Sequence, residues 1–436
     1  MSYLLNIVYL ILLLVVSPWL LHKAVRKGKY RQGLAAKLWG RVPRRCGDRR
    51  CVWLHAVSVG EVNLLSPLLS RIEREHPDWD CVISTTTRTG FELAKRRYGP
   101  RQVFYCPLDF SWAVGRAMRR VRPDLLVLAE LELWPNLIRA ARQYGAKVAV
   151  VNGRLSAKSY RGYRRIRPLI AALLKSVDCI CVQNEEYAER FRQLGARPRL
   201  VHVTGSLKFD GAQTDRGNAA TRELATLAGI GEGDIVFLAG STQHPEESLA
   251  VETYRALVGQ HPQLRLILVP RHAERFDQVA DLLDRSSLRW QRRSRLEVQG
   301  ADPQARILLV DAIGELAAWW GTAHVAFVGG SMGRRGGQNM IEPAAYGAAV
   351  AFGPHTHNFR DVVALMLQRR AATVVHDGRE LTAFVRRCVE NPAYAAELGQ
   401  QAQALIGGQR GAVERTTVQV FALVQRPHRR DLPNAA

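Results

Sequence analysis

The sequence predicts an α/β protein of two halves, each a run of alternating strands and helices, preceded by an apolar N-terminal anchor helix. Three observations predict it. Short apolar runs recur along the 436 residues, each ending in a loop of small or charged residues and leading into a helix-period segment. The rhythm pauses at a polar stretch, 211–218, read as a linker, and then restarts. Residues 4–21 are almost unbroken apolar sequence. A chain of this length, 47% hydrophobic, can bury two ordinary cores.

Charge narrows the surroundings. A net charge of +23 points to a polyanion: nucleic acid, an anionic membrane or a phosphorylated substrate. Residues 23–50 carry eleven Lys and Arg against one acid, Asp48. These basic residues follow the apolar run, the reverse of a signal peptide, and the positive-inside rule then leaves the body of the chain in the cytoplasm. Residues 1–22 are therefore read as a membrane anchor just long enough to span, with Asn6 near one end and Pro18 near the other. An interfacial or buried helix accounts for the same residues. Residues 23–50 become a basic segment beside the membrane. The seven cysteines show no metal-ligand spacing and suit reduced thiols in a core.

The first half, residues 51–210, opens with the strand 52–54, a loop through Ser58-Val59-Gly60-Glu61, and a helical pattern of Val62, Leu64, Leu65, Leu68 and Leu69. Ligands of open sheets sit at the carboxyl ends of strands. Glu61 is thus either a site carboxylate or one that stabilises its helix dipole. Strands follow at 80–86, 103–105 and 125–128. The last, fully apolar, runs into Glu130-Leu131-Glu132-Leu133-Trp134-Pro135. Two acids at a buried strand end require solvent, a partner or a use. If the chain stayed extended they would face the same way. Strands at 147–151, 178–183 and 200–204 complete the half. The basic, tyrosine-containing run 158–168 suits phosphates or is simply a solvated helix.

The second half, residues 219–408, restarts with strand 235–239 and the turn Gly240-Ser241-Thr242-Gln243 before a helix, a geometry friendly to phosphate. Strand 264–269 ends in Pro270-Arg271, strand 307–310 in Asp311-Ala312-Ile313-Gly314-Glu315, and strand 325–328 in Gly329-Gly330-Ser331. Asn339 and Glu342, at i and i+3, would share one helix face, meeting phosphate with backbone N–H and ribose with carboxylate; Glu342 is otherwise a capping acid. Residues 409–428 are read as a C-terminal helix crossing back to the first half, and 426–436 as a basic tail.

The segments HAVSVGEVN (55–63), ELELWPN (130–136), NGRLS (152–156), GSLKFD (205–210), AGSTQHPEE (239–247), VPRH (269–272), DAIGEL (311–316), FVGGS with RGGQNMIEPAA (327–345) and FGPHTHNF (352–359) stand in the order of one family. The chain resembles the lipid A 3-deoxy-D-manno-octulosonic acid (Kdo) transferases, of the GT-B fold: two Rossmann-like domains facing a central cleft. Leu131, Ser206, Gln243-His244-Pro245, Gln338 and Ala349 depart from the family's usual residues.

The resemblance implies an inverting transfer of Kdo from CMP-Kdo to a phosphorylated lipid A precursor at the anionic inner membrane, with no metal, no cofactor and no nucleic acid. Glu61 is implied as general base, and Glu132 and Lys208 as transition-state groups. Pro270, Arg271, Ile313, Gly314, Glu315, Asn339, Met340, Ile341 and Glu342 are implied as donor-binding, joined by Ser241. Two rivals remain at this level: a membrane-associated GT-B transferase using a UDP-sugar, and a non-catalytic polyanion-binding membrane protein.

Overall fold

The computed structural model describes residues 2–27 and 32–424. Met1, residues 28–31 of the basic segment and residues 425–436, which hold the expected basic tail and the end of the expected C-terminal helix, lie outside the described residues. The chain divides into two compact units, one running to Gly211 and resuming at Arg410, the other Ala212–Gln409.

The first unit is built on seven parallel strands: β1 (Cys51–His55), β2 (Asp80–Thr85), β3 (Gln102–Tyr105), β4 (Leu125–Ala129), β5 (Lys147–Gly153), β6 (Cys179–Val182) and β7 (Val201–Val203). Their order is β3-β2-β1-β4-β5-β6-β7. The central strands are apolar at consecutive positions because both faces are covered. Trp53, Leu126, Leu128, Val148 and Val150 pack on one side with the helices Ser111–Val121 and Pro135–Gln143. Val52, Leu54, Leu125, Val127 and Val151 pack on the other with the helices Val59–Glu75 and Ala412–Phe421. Truncating one such Leu to Ala costs about 2–5 kcal/mol.

The growth direction of this sheet reverses between β1 and β4, which pair directly from Val52↔Leu125 to His55↔Leu128. A crevice opens at such a reversal, outside the strand ends. The helix after β1 carries Glu61 in its first turn, and the loop after β4 carries Glu130 and Glu132.

The returning helix Ala412–Phe421 is fixed to this unit by Asp210, whose carboxylate accepts the N–H groups of Gly411 (2.7 Å) and Val413. Arg415 adds a bond to the Thr204 carbonyl (2.9 Å).

The N-terminal residues form one helix, Ser2–Lys27. Among the described residues no helix is long and apolar enough to cross a membrane, so the expected spanning anchor finds no support there. Asn6 interrupts the apolar run and is buried, 6% exposed. Its amide donates to Ser111 Oγ (2.7 Å) and accepts from the Ser111 N–H (3.0 Å). Tyr9 donates to the Asp109 carboxylate (3.2 Å). Tyr3, Leu4, Ile7, Ile11, Leu14 and Val15, at helical spacing, remain on the outer face.

The second unit repeats the plan with β8 (Ile235–Thr242), β9 (Leu264–Pro270), β10 (Trp290–Arg292), β11 (Ile307–Leu309), β12 (Val325–Val328), β13 (Ala349–Phe352) and β14 (Thr373–Val374). All are parallel, in the order β10-β11-β9-β8-β12-β13-β14, reversing between β8 and β12. The stretch read as a linker packs on this unit: Arg216 donates to the carbonyls of Tyr346 (2.7 Å) and Ala323 (2.6 Å).

Candidate active site

Glu61 stands in the first turn of the helix Val59–Glu75, whose N-cap is Ser58. Its carboxylate accepts the Val57 N–H (2.9 Å) and the Ser58 hydroxyl (2.8 Å). This is a local variant of the capping box, so part of the dipole-stabilising reading is realised. Each oxygen keeps a second lone pair. Glu61 is 9% exposed, and burial pushes its pKa upward against those hydrogen bonds, with Glu130 adding to the rise.

The chain does not stay extended past β4, so Glu130 and Glu132 do not share a strand face. Glu130 adopts a left-handed φ of 54°, its N–H bonded to the Val151 carbonyl at 2.9 Å. Its carboxylate turns toward Lys208, with Nζ at 3.9 Å. Glu132 accepts the indole N–H of Trp134 (2.8 Å). Burial, and then the charges of Glu61 and Glu130, push Glu132 up to about 7 in spite of the indole bond. The expected Glu61, Glu132 and Lys208 are therefore brought together in one unit, with Glu130 linking them electrostatically. Three carboxyls and one ammonium offer a group that can take a proton and a cation that can face an anion.

Asp109, after β3, was not legible as part of this arrangement. Its carboxylate caps the helix that follows Glu132, accepting the N–H of Asn136 (3.0 Å) and Leu137 (2.8 Å). Burial raises it to about 6 even so. A Pro-Leu-Asp strand end gives no sign of a cap supplied across a sequence gap this wide.

In the second unit the expected donor segments follow β8, β9, β11 and β12. Ser241 is buried with a left-handed φ of 55°. The Arg271 N–H donates to the Thr242 carbonyl (3.0 Å), which sets Pro270 and Arg271 beside the β8 turn. Glu246, to which the sequence reading gave no role, ties the β8 and β12 loops. It accepts the N–H of Gln243 (2.9 Å), Gly330 (2.7 Å), Ser331 (2.8 Å) and Met332 (2.9 Å). The loops approach so closely that a Cβ on Gly329 would lie 2.6 Å from the Thr242 Cα.

Asn339 precedes the short helix Ile341–Ala345 rather than lying in it, accepting the Ile341 N–H and donating to Glu342 Oε1 (2.9 Å). Met340 and Ile341 bury their side chains, leaving their backbone as the part able to meet a ligand. Ile313 is 71% exposed and Gly314 has φ 100°. Glu315 is engaged at both oxygens by Arg293 (2.9 Å each) and receives the Trp319 indole N–H (3.1 Å). Arg293 lies in a basic surface run that does not single it out.

Two parallel, doubly wound sheets with acids at one reversal point and a glycine-rich, carboxylate-braced loop pair at the other define a GT-B-like α/β fold. A solved glycosyltransferase from Rickettsia africae shares the fold, with a TM-score of 0.56 at 10% identity, covering 87% of this chain and 100% of that one. A sequence profile of the family described as 3-deoxy-D-manno-octulosonic-acid transferase (kdotransferase) matches residues 29–211. The 3-deoxy-D-manno-octulosonic acid transferase of Haemophilus influenzae is 31% identical over 93% of this chain and 96% of its own length. That of Bordetella pertussis is 34% identical over 91% and 94%. The chain belongs to the Kdo transferase family.

Proposed function

We propose that this protein transfers Kdo from CMP-Kdo to a phosphorylated lipid A precursor in lipopolysaccharide synthesis. One observation carries the reading: a relationship to Kdo transferases that spans nearly the whole of both chains. The acid cluster at the β1/β4 reversal supplies its chemistry. An acceptor hydroxyl oxygen attacks the anomeric carbon of Kdo while the bond from that carbon to the CMP phosphate oxygen breaks. The departing CMP keeps the electron pair, the hydroxyl proton passes to the Glu61 carboxylate, and the anomeric centre inverts. A positioned base of this kind contributes about 10²–10⁴-fold. Lys208, with Glu130 opposite its ammonium, balances charge on the leaving phosphate or the Kdo carboxylate, and Glu132 orients Glu61. In the second unit the backbone at Ile313 and Gly314 reads cytosine and Glu342 takes ribose, with Ser241, Pro270, Arg271, Glu315 and the 339–341 backbone completing the nucleotide site.

Location is part of the same proposal. The outward apolar stripe of the N-terminal helix lies in the interface of the anionic inner membrane, with both units on the cytoplasmic side. The exposed basic face of the helix Ala157–Arg165, with Arg161, Arg164 and Arg165, meets lipid phosphates. The test is incubation with CMP-Kdo and a bisphosphorylated, tetraacylated lipid A precursor, followed by mass analysis, alongside competition by CMP and UDP. The proposal expects a product heavier by Kdo and inhibition by CMP alone. Inhibition by UDP alone, with no Kdo product, overturns it.

A further inference from the structure

Lys208 and Glu130 come from distant stretches of the first unit, yet both are held by the same strand end. Val151, in β5, accepts the Glu130 N–H through its carbonyl (2.9 Å). The next residue, Asn152, accepts the Leu207 N–H at Oδ1 (3.0 Å), one position before Lys208. Asn152 has φ 55°, a left-handed conformation that asparagine tolerates better than most residues. Its own carbonyl accepts from Gln183 Nε2 (3.2 Å), so the peptide is held from both sides. Asn152 is 0% exposed and its Nδ2 is buried without a hydrogen-bond partner. An unmet buried donor is destabilising. The side chain thus meets the buried Leu207 N–H from a left-handed backbone and leaves one donor of its own unmet.

We propose that Asn152 is a positioning residue for the transfer: by holding Leu207 it sets the Lys208 ammonium opposite Glu130. The inference rests on the reading of Lys208 as the cation that offsets charge in the transition state. Displacing a charged group by about 1 Å costs on the order of 10²-fold in rate.

The test is a double-mutant cycle on the full chain, read as kcat and KM for CMP-Kdo. Asn152→Gly permits the left-handed φ and deletes the acceptor; Lys208→Ala deletes the cation. Asn152→Gly is expected to lower kcat by about 10- to 100-fold while KM moves less than about threefold. In the Lys208→Ala background the same substitution is expected to change kcat by less than about twofold. Asn152→Asp, which keeps the acceptor oxygen, is expected to retain kcat within about threefold and covers the case in which the glycine variant does not fold. A loss in Asn152→Asp as deep as in Lys208→Ala overturns the proposal. Fully multiplicative losses in the cycle also overturn it while leaving the role of Lys208 intact. Full kcat in Lys208→Ala removes the role of Lys208, and the positioning role falls with it.

Discussion

At the scale of single residues the controlling fact is that burial and neighbouring carboxylates raise two acids: Glu130 raises both Glu61 and Glu132, and Glu61 raises Glu132 as well. Glu61 must be ionised to accept a proton, and burial together with Glu130 moves its titration upward. The acid limb of kcat/KM is therefore expected above the ordinary carboxylate range. Glu130→Gln, which removes one repelling charge, is expected to move that limb to lower pH while lowering the plateau through loss of the Lys208 partner. A pH–rate profile of both proteins checks this. Glu132, raised from 4.5 to about 7, carries a stability consequence. The unfolded chain releases this proton at lower pH than the folded one, so the contribution is full below the unfolded pKa and disappears as pH rises through about 7. Glu132→Gln is then expected to gain stability relative to wild type between about pH 5 and about pH 8, read from urea midpoints. Glu61 and Glu132 were legible as residues because acids at the ends of apolar strands are conspicuous. Their directions were not: the turn at Glu130, with its left-handed φ, breaks the alternation that a strand would impose.

At the scale of elements, carboxylates that cap backbone N–H groups hold the loops in place. Asp109 caps the helix Pro135–Gln143 and receives the Tyr9 hydroxyl, so the N-terminal helix is wired to the helix that follows Glu132. Tyr9→Phe is expected to destabilise the first unit by about 1 kcal/mol, and Asp109→Ala by about 2 kcal/mol or more, in equilibrium unfolding. Glu246→Ala strands four N–H groups at the β8/β12 loops and is expected to weaken CMP binding more than 10-fold, measured by calorimetry. The long apolar strands were legible in the sequence, and β10 and β14 were not. These are edge strands of three and two residues, WQR and TV, with no apolar run to mark them. Caps such as Asp109 and Glu246 escaped for a different reason, since each serves an N–H group far along the chain.

At the scale of the whole molecule, two α/β units were legible because every buried parallel strand repeats the same signature of a continuous apolar run ending in small residues. The N-terminal helix was legible as apolar but not in its setting. Asn6 reads as a blemish in a spanning segment and serves as a hydrogen-bonded plug against the first unit. The polar stretch read as a linker contains the boundary between the units, Gly211 to Ala212, and Arg216 packs its later part on the second unit. What unites the two units in function is the claim that Glu61 removes the acceptor proton during Kdo transfer from CMP-Kdo. The most direct measurement is the rate of Kdo transfer by wild type and Glu61→Gln on the same lipid A precursor, with CMP affinity measured for both. The account predicts transfer by wild type, a loss of about 10²–10⁴-fold in the variant, and equal CMP affinity. Equal rates in the two proteins would contradict it.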